Sequence, residues 1–285
     1  MRAFFSILFS NISYFFKNIR KYFKLKWVLI ILGVLAVIVA GYFIIRETRK
    51  TPSSETSFAK KKEIVIGIEA PSAFSRVDDT GEISGYEKDL ADSLFKKLYP
   101  EIPLRYEVIK GQQASYLLRT GEIDVAFGMF VSGPIKTQGL TLSNSYFTDG
   151  VYVFLKNDSP VTTLFGLTNK RVRVLSSDIT KNSVNSMFKK LKISVDLHLC
   201  SSYEDGHSSL MNEESVAIAA PYYKLCGYDD LRTIEEAIGS APYRIMLWTD
   251  KKDVVQVINR ALAEMREDGS LKALMEKWDL TEYDE

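Results

Sequence analysis

The chain reads as an α/β protein of two lobes, each with a parallel-sheet core, preceded by one membrane-crossing helix. Three observations predict this. Short β-branched runs alternate with amphipathic helical patterns from residue 63 to residue 280, the arrangement that gives parallel sheets with right-handed crossovers. The roughly 220 residues involved suit two compact lobes better than one. Residues 27–45 form 19 consecutive positions without a charge, close to the ~20 helical residues that cross a hydrocarbon core.

Residues 64–68 (Ile-Val-Ile-Gly-Ile) form a β-branched run of the kind buried on both faces of a sheet. Pro71 and Phe74 follow, and then Asp78-Asp79-Thr80-Gly81, a polar turn with Gly where positive φ is needed. Gly85-Tyr86-Glu87-Lys88-Asp89-Leu90-Ala91 opens an amphipathic helix with Leu90, Leu94, Phe95 and Leu98 on one face. Further strands are predicted at 104–108, 125–127, 151–155, 172–174, 195–198, 215–219 and 243–247. Helices are predicted at 86–98, 112–119, 182–191, 203–211, 222–226, 252–267 and 270–278. Residues at the carboxyl edge of such strands are where α/β proteins bind small ligands.

Composition is that of a folded protein, 46% hydrophobic and 26% charged, but the net charge of +1 conceals an asymmetry. Residues 1–62 hold 12 Lys/Arg against 2 Asp/Glu, and the remainder holds 25 against 34. A basic end beside an apolar run points to a membrane with anionic lipid, and the acidic remainder argues against nucleic acid. Lys17, Arg20, Lys21, Lys24 and Lys26 precede the apolar run, which places the N-terminus in the cytoplasm and residues 46–285 outside the cell. A cleaved leader, cut near residues 36–41, is the competing reading; the 26 residues before the run are long for one, which favours an uncleaved anchor. Phe4, Phe5, Leu8, Phe9, Ile12, Phe15, Phe16, Ile19 and Phe23 recur at helical spacing, as in a helix lying in the inner interface or in a loosely ordered leader. The expected organisation of the N-terminal part is therefore a cytoplasmic segment 1–26, an anchor 27–45 and a polar tether 46–62 ahead of the α/β region. Two isolated histidines and two cysteines provide no metal site, and no cofactor is expected. Cys200 and Cys226 are either a disulfide or two free thiols.

The segment 85–91, together with Gly121-Glu122-Ile123-Asp124-Val125-Ala126 and Met265-Arg266-Glu267-Asp268-Gly269-Ser270-Leu271…Lys277-Trp278, resembles the amino-acid-type (family 3) solute-binding proteins of ABC transporters. The likeness covers residues 63–280 and implies the type II periplasmic-binding fold. The resemblance further implies lobe 1 at 63–152, lobe 2 at 153–245 and a return to lobe 1 at 246–285, with chain crossings near 151–153 and 243–247 and the last two helices in lobe 1. The resemblance implies a small-molecule ligand held between the lobes and an ABC permease as partner. It implies binding and not catalysis, with a ligand sensor or a dehydratase-like enzyme as alternatives.

The same resemblance proposes site residues. Phe74 takes the place of an aromatic packed on the ligand, or is a core ring. Glu69, just past the first strand, takes the place of a carboxylate facing a ligand ammonium, or is an exposed surface carboxylate. Gly128 matches the glycine of the segment that captures a ligand carboxylate. Phe130 stands where that segment has a hydroxyl, and Lys136 either stands in for its arginine or is a simple surface lysine. Lysine is a point charge where arginine offers a planar fork, so carboxylate geometry is read less selectively. The family's ammonium-binding Asp is absent after residues 216–219, where Ala220-Pro221-Tyr222-Tyr223 stands; Tyr222 either offers a ring face to a cation or packs a helix start. Ser177 either caps the next helix or offers a hydroxyl to an anion.

Overall fold

A computed structural model describes residues 56–131, 139–175, 178–234 and 236–284, all within the compact unit Ser53–Glu285. The expected anchor at 27–45 and the segment before it lie outside the described residues, as do Lys136 and Ser177. Among the described residues, no helix is long and apolar enough to cross a membrane.

The first strand, β1 (Ile64–Glu69), is buried along almost its whole length and pairs in parallel on both sides. It is followed by a small antiparallel hairpin, β2 (Ser75–Val77) with β3 (Ile83–Gly85). The hairpin turn is held by Asp78, whose Oδ1 accepts from Thr80 N at 2.9 Å, Thr80 Oγ1 at 2.7 Å and Glu82 N at 2.8 Å. Helix α1 (Tyr86–Leu98) starts directly from the hairpin at Gly85, which has φ 129°. A Cβ at Gly85 would collide with the Phe74 carbonyl oxygen, so the chain passes here only without a side chain. The rest of lobe 1 is β4 (Leu104–Ile109), α2 (Ala114–Thr120) and β5 (Val125–Val131).

Strand β6 (Leu140–Lys156) is long and leads into the second lobe. There β7 (Arg171–Leu175), α3 (Asp178–Leu191), β8 (Asp196–Cys200), α4 (Tyr203–Met211), β9 (Ala217–Pro221), α5 (Tyr222–Leu225) and β10 (Leu231–Thr233) follow in order. Strand β11 (Gly239–Trp248) returns to lobe 1, where α6 (Lys252–Glu267) and α7 (Ser270–Lys277) pack beside α1.

The strands join in the order β4-β1-β5-β11-β6-β9-β7-β8, with β10 against β6. Each lobe keeps a parallel trio, β4-β1-β5 in one and β9-β7-β8 in the other. The sheet as a whole is mixed, not parallel throughout, because the chain must go out to lobe 2 and come back. The two connecting strands, β6 and β11, therefore run antiparallel to each other. The crossing lies at Phe147–Gly150 opposite Ser240–Tyr243, with register irregularities just beyond it at Arg244. Two strands crossing side by side make a hinge about which lobes can close.

The C-terminal tail straps this hinge. Thr148 N donates to Glu282 Oε1 at 2.7 Å, Tyr283 N donates to Thr148 O at 2.8 Å, and Thr281 N donates to Tyr223 Oη at 2.9 Å. Arg266 grips the Glu282 carboxylate with both terminal nitrogens, each at 3.0 Å. Glu282→Ala removes the Thr148 N and Arg266 bonds to its carboxylate at a partly exposed site and is expected to cost about 1–2 kcal/mol of unfolding free energy. Urea titration checks this, and no change in midpoint would show the strap to be ornamental.

Cys200 is buried and Cys226 exposed, and both thiols are free. Burial pushes the Cys200 thiol up to about 11.

Candidate ligand cleft between the lobes

The carboxyl ends of the parallel strands from both lobes meet at one cleft of about 760 Å³. Lobe 1 contributes residues 69–71 after β1, 109–112 at the end of β4 and 128–131 of β5. Lobe 2 contributes Leu175 at the end of β7, residues 201–204 before and at the start of α4, and Lys224 of α5. A second cavity of about 560 Å³ lies beneath the C-terminal tail, away from the strand ends, and is lined by residues of lobe 1 and that tail. Size and strand-edge position favour the first as the ligand site.

Local chemistry shapes each wall. Glu69 projects into space left by two glycines. A Cβ at Gly128 would lie 2.7 Å from Glu69 Cβ and 2.7 Å from Phe130 Cζ, and one at Gly111 would collide with Glu69 Oε1. Glu69 meets Lys224 across the cleft, Nζ to Oε2 at 3.4 Å. The α4 wall is built by reciprocal capping. Ser202 Oγ accepts from Asp205 N at 3.1 Å, and the Asp205 carboxylate accepts from Ser201 N at 2.8 Å and Ser201 Oγ at 2.9 Å. These bonds hold Asp205 below the usual carboxylate range, the backbone N–H of Ser201 contributing most.

Two buried carboxyl groups stand behind the walls. Glu87, at the start of α1, is fully buried. It accepts from Met129 N at 3.0 Å, from Ser75 Oγ at 3.2 Å and from the Tyr146 hydroxyl. Met129 has φ 52°, so Glu87 holds β5 in an uncommon conformation between the cleft residues Gly128 and Phe130. Burial raises Glu87 to about 7, against the opposing pull of the Tyr146 and Met129 hydrogen bonds. Asp149, in the hinge segment of β6, accepts from Tyr243 Oη at 2.6 Å and from Tyr223 N at 2.9 Å. It thereby ties the two hinge strands together and fixes the start of α5, which carries Lys224. Burial raises Asp149 to about 6.

The structure brings Glu69, Gly128 and Phe130 together in the cleft. Phe74 lies elsewhere: it is 1% exposed, with its ring 4.8 Å from Phe147, 5.2 Å from Tyr223, 5.4 Å from Tyr86 and 5.7 Å from Tyr243. In this conformation it is a core ring beside the hinge, placed there because the hairpin after β1 folds it back under α1. Tyr222 packs on Tyr152 and Phe154 of β6, at 5.7 and 6.3 Å, and is not among the residues lining the cleft. Sequence reasoning missed Lys224, Glu87, Asp149 and Gly111. The one available signal was Asp149, a carboxylate set in the apolar run Tyr146-Phe147-Thr148-Asp149-Gly150-Val151.

A cleft at the strand edges of two lobes with paired crossing strands is the geometry of a binding protein, and comparison with known families agrees. The family described as bacterial extracellular solute-binding proteins, family 3, matches residues 64–281. The chain belongs to this family. This solute-binding protein is similar to the L-cystine-binding protein TcyJ of Escherichia coli K12, 26% identical over 256 residues covering 87% of this chain and 94% of that protein. It is also similar to the arginine-binding extracellular protein ArtP of Bacillus subtilis 168, 23% identical over 86% of this chain and 96% of that protein. Among solved structures, a mutant of ArgBP from T. maritima matches with a TM-score of 0.59 at 21% identity, covering 80% of this chain and 98% of that one. That match speaks to the fold alone: the two-lobed arrangement with a mixed sheet.

Proposed function

We propose that this protein captures an amino-acid-like solute in the interlobe cleft outside the cell, held to the membrane by residues 27–45, and delivers it to an ABC permease. The observation that carries the reading is a cleft whose two walls come from two lobes joined by the hinge strands β6 and β11. Such a cleft can shut on a solute and present the closed form to a transporter. Relatives named for binding L-cystine and arginine support an amino acid as ligand class. Glu69, Gly128 and Phe130 form the lobe 1 wall of this site. Lys136 and Ser177 lie outside the described residues; an anion-facing role is assigned to Lys136 from the family resemblance and to Ser177 from its hydroxyl and its place before a helix. Phe74 supports the hinge, and Tyr222 braces α5 against β6. The tether keeps the binding lobes near the permease at high local concentration.

The test is thermal unfolding of the full chain in detergent with each of the twenty amino acids and L-cystine. A true ligand at 100 times its dissociation constant is expected to add ~2.7 kcal/mol of stability. Absence of a shift with every compound would remove the amino-acid reading. N-terminal sequencing of the mature protein checks the anchor, and a start near residue 42 would mean cleavage.

A further inference from the structure

Lys224 and Glu69 come from opposite lobes and meet inside the cleft, with side chains 16% and 25% exposed. Their separation of 3.4 Å is long for an N–H···O hydrogen bond. An ammonium has three donors and a carboxylate about four acceptor sites. Among the described residues, this one contact is the polar bonding that either charged group makes. Both groups therefore keep most of their hydrogen-bonding capacity, and both line the same cavity.

Each group is anchored at the cleft by its backbone. The Glu69 carboxyl lies in the gap left by Gly111 and Gly128, and Lys224 sits on a short helix whose start is fixed by the Asp149 bond to Tyr223 N, 2.9 Å long. Closure of the lobes on a solute would take both charges further from water, and a shielded charge needs an opposite partner. A neutral solute separating them would leave two charges uncompensated, and a singly charged one would leave one. A dipolar solute compensates both. Lys110 and Glu204 line the same cleft but are exposed, so water and salt screen them and the inner pair dominates.

We infer that Glu69 and Lys224 are the two poles of the ligand site: Glu69 on lobe 1 takes the cationic group of a dipolar solute, Lys224 on lobe 2 takes its anionic group, and their direct ion pair is what the solute displaces. This rests on the binding reading above and deepens it: the role of Glu69 is the one the family resemblance implies, and the new element is Lys224 and the ion pair that the solute displaces. It also moves the anion contact from the lobe 1 Lys136 of the family resemblance to a lobe 2 lysine.

Calorimetry on the full chain in detergent tests the inference with the tightest binder from the amino-acid panel, its methyl ester, which lacks the carboxylate, and its N-acetyl derivative, which lacks the ammonium. On the wild type, each derivative is expected to bind about 10- to 100-fold more weakly than the parent, the loss of one charged hydrogen-bonded contact. In Lys224→Met the parent weakens by about as much and the ester is no longer penalised relative to it. In Glu69→Gln the N-acetyl penalty disappears instead. Lys224→Arg, which keeps the charge, stays within about 10-fold of wild type. The inference is overturned if the wild type binds the ester as well as the acid, or if a folded Lys224→Met variant still penalises the ester. It is equally overturned if Lys136→Met abolishes the penalty in place of Lys224→Met. If the wild type binds no compound in the panel, the binding reading falls as well. If it binds one and the ester penalty survives in Lys224→Met, this inference alone fails.

Discussion

Phe74→Ala is expected to lower the unfolding free energy by about 3–5 kcal/mol, the usual cost of emptying a fully buried aromatic site. The ring is 1% exposed and meets four other aromatic rings at centroid distances of 4.8 to 5.7 Å. Three of these meetings are edge-on, with interplanar angles of 75° to 80°, an arrangement that adds attraction beyond buried area. Collapse of the cavity is hindered because its walls belong to different elements: Tyr86 to α1, Phe147 and Tyr243 to the hinge strands, and Tyr223 to α5. Urea unfolding measures the loss, and Phe74→Leu should retain most of the stability. Ligand affinity should fall too, because the same rings steady α5, which carries Lys224, but only as a consequence of the loosened hinge. The result that would defeat this view is a variant of near wild-type stability that has lost its ligand. Phe74 would then be a ligand contact, as its position after β1 suggests from sequence.

That choice was open in the sequence for a physical reason. An aromatic seven residues beyond Gly67 lies at the strand edge, and whether it faces the cleft or the core depends on how the following hairpin folds. The hairpin strands are three residues each, too short to show a period of two, so its path was not legible. Helices fared differently. The bounds of α1, α4 and α6 agree with the periodicity because each has an apolar stripe and a clear start and stop, such as Ser202 before α4 and Gly269 after α6. Strand β6 is far longer than its predicted stretch of 151–155. Its first half reads as Leu-Thr-Leu-Ser-Asn-Ser, and Asp149-Gly150 looks like a turn. Both are strand because β11 supplies the partner, and Tyr243 from that partner satisfies the Asp149 carboxylate. The cleft divides in the same way. Glu69, Gly128 and Phe130 come from the family resemblance, which marks local segments of lobe 1, whereas Lys224 reaches Glu69 from 155 residues away, and no local pattern marks that meeting.

Glu87→Gln is expected to stabilise the protein by up to about 3 kcal/mol at pH 8 while leaving it near wild type at pH 4. Burial disfavours the charged carboxylate, and Glu87 is raised from 4.5 to about 7. A carboxyl raised in the folded state contributes its full stability below its unfolded value and loses it as pH rises through the folded value. The window is therefore pH 4.5 to about 7, with stability falling across it. Glutamine mimics the neutral acid. Its carbonyl can accept from Met129 N and the Tyr146 hydroxyl, where Glu87 Oε1 now does, and its amide can donate to Ser75 Oγ, where Oε2 now accepts. Glu69 and Lys224 also act on this carboxyl, Glu69 raising it and Lys224 lowering it, so a dipolar ligand inserted between them alters both influences. Asp149, raised from 3.8 to about 6, adds a fall of the same sign over its own window, and the Glu87→Gln curve should keep that smaller slope. Unfolding midpoints of both proteins from pH 4 to pH 8 decide the matter. Parallel curves would mean that Glu87 ionises in the folded state as it does in the unfolded chain, so that at neutral pH Met129 and the cleft strand it shapes are held by a carboxylate and not by a carboxylic acid.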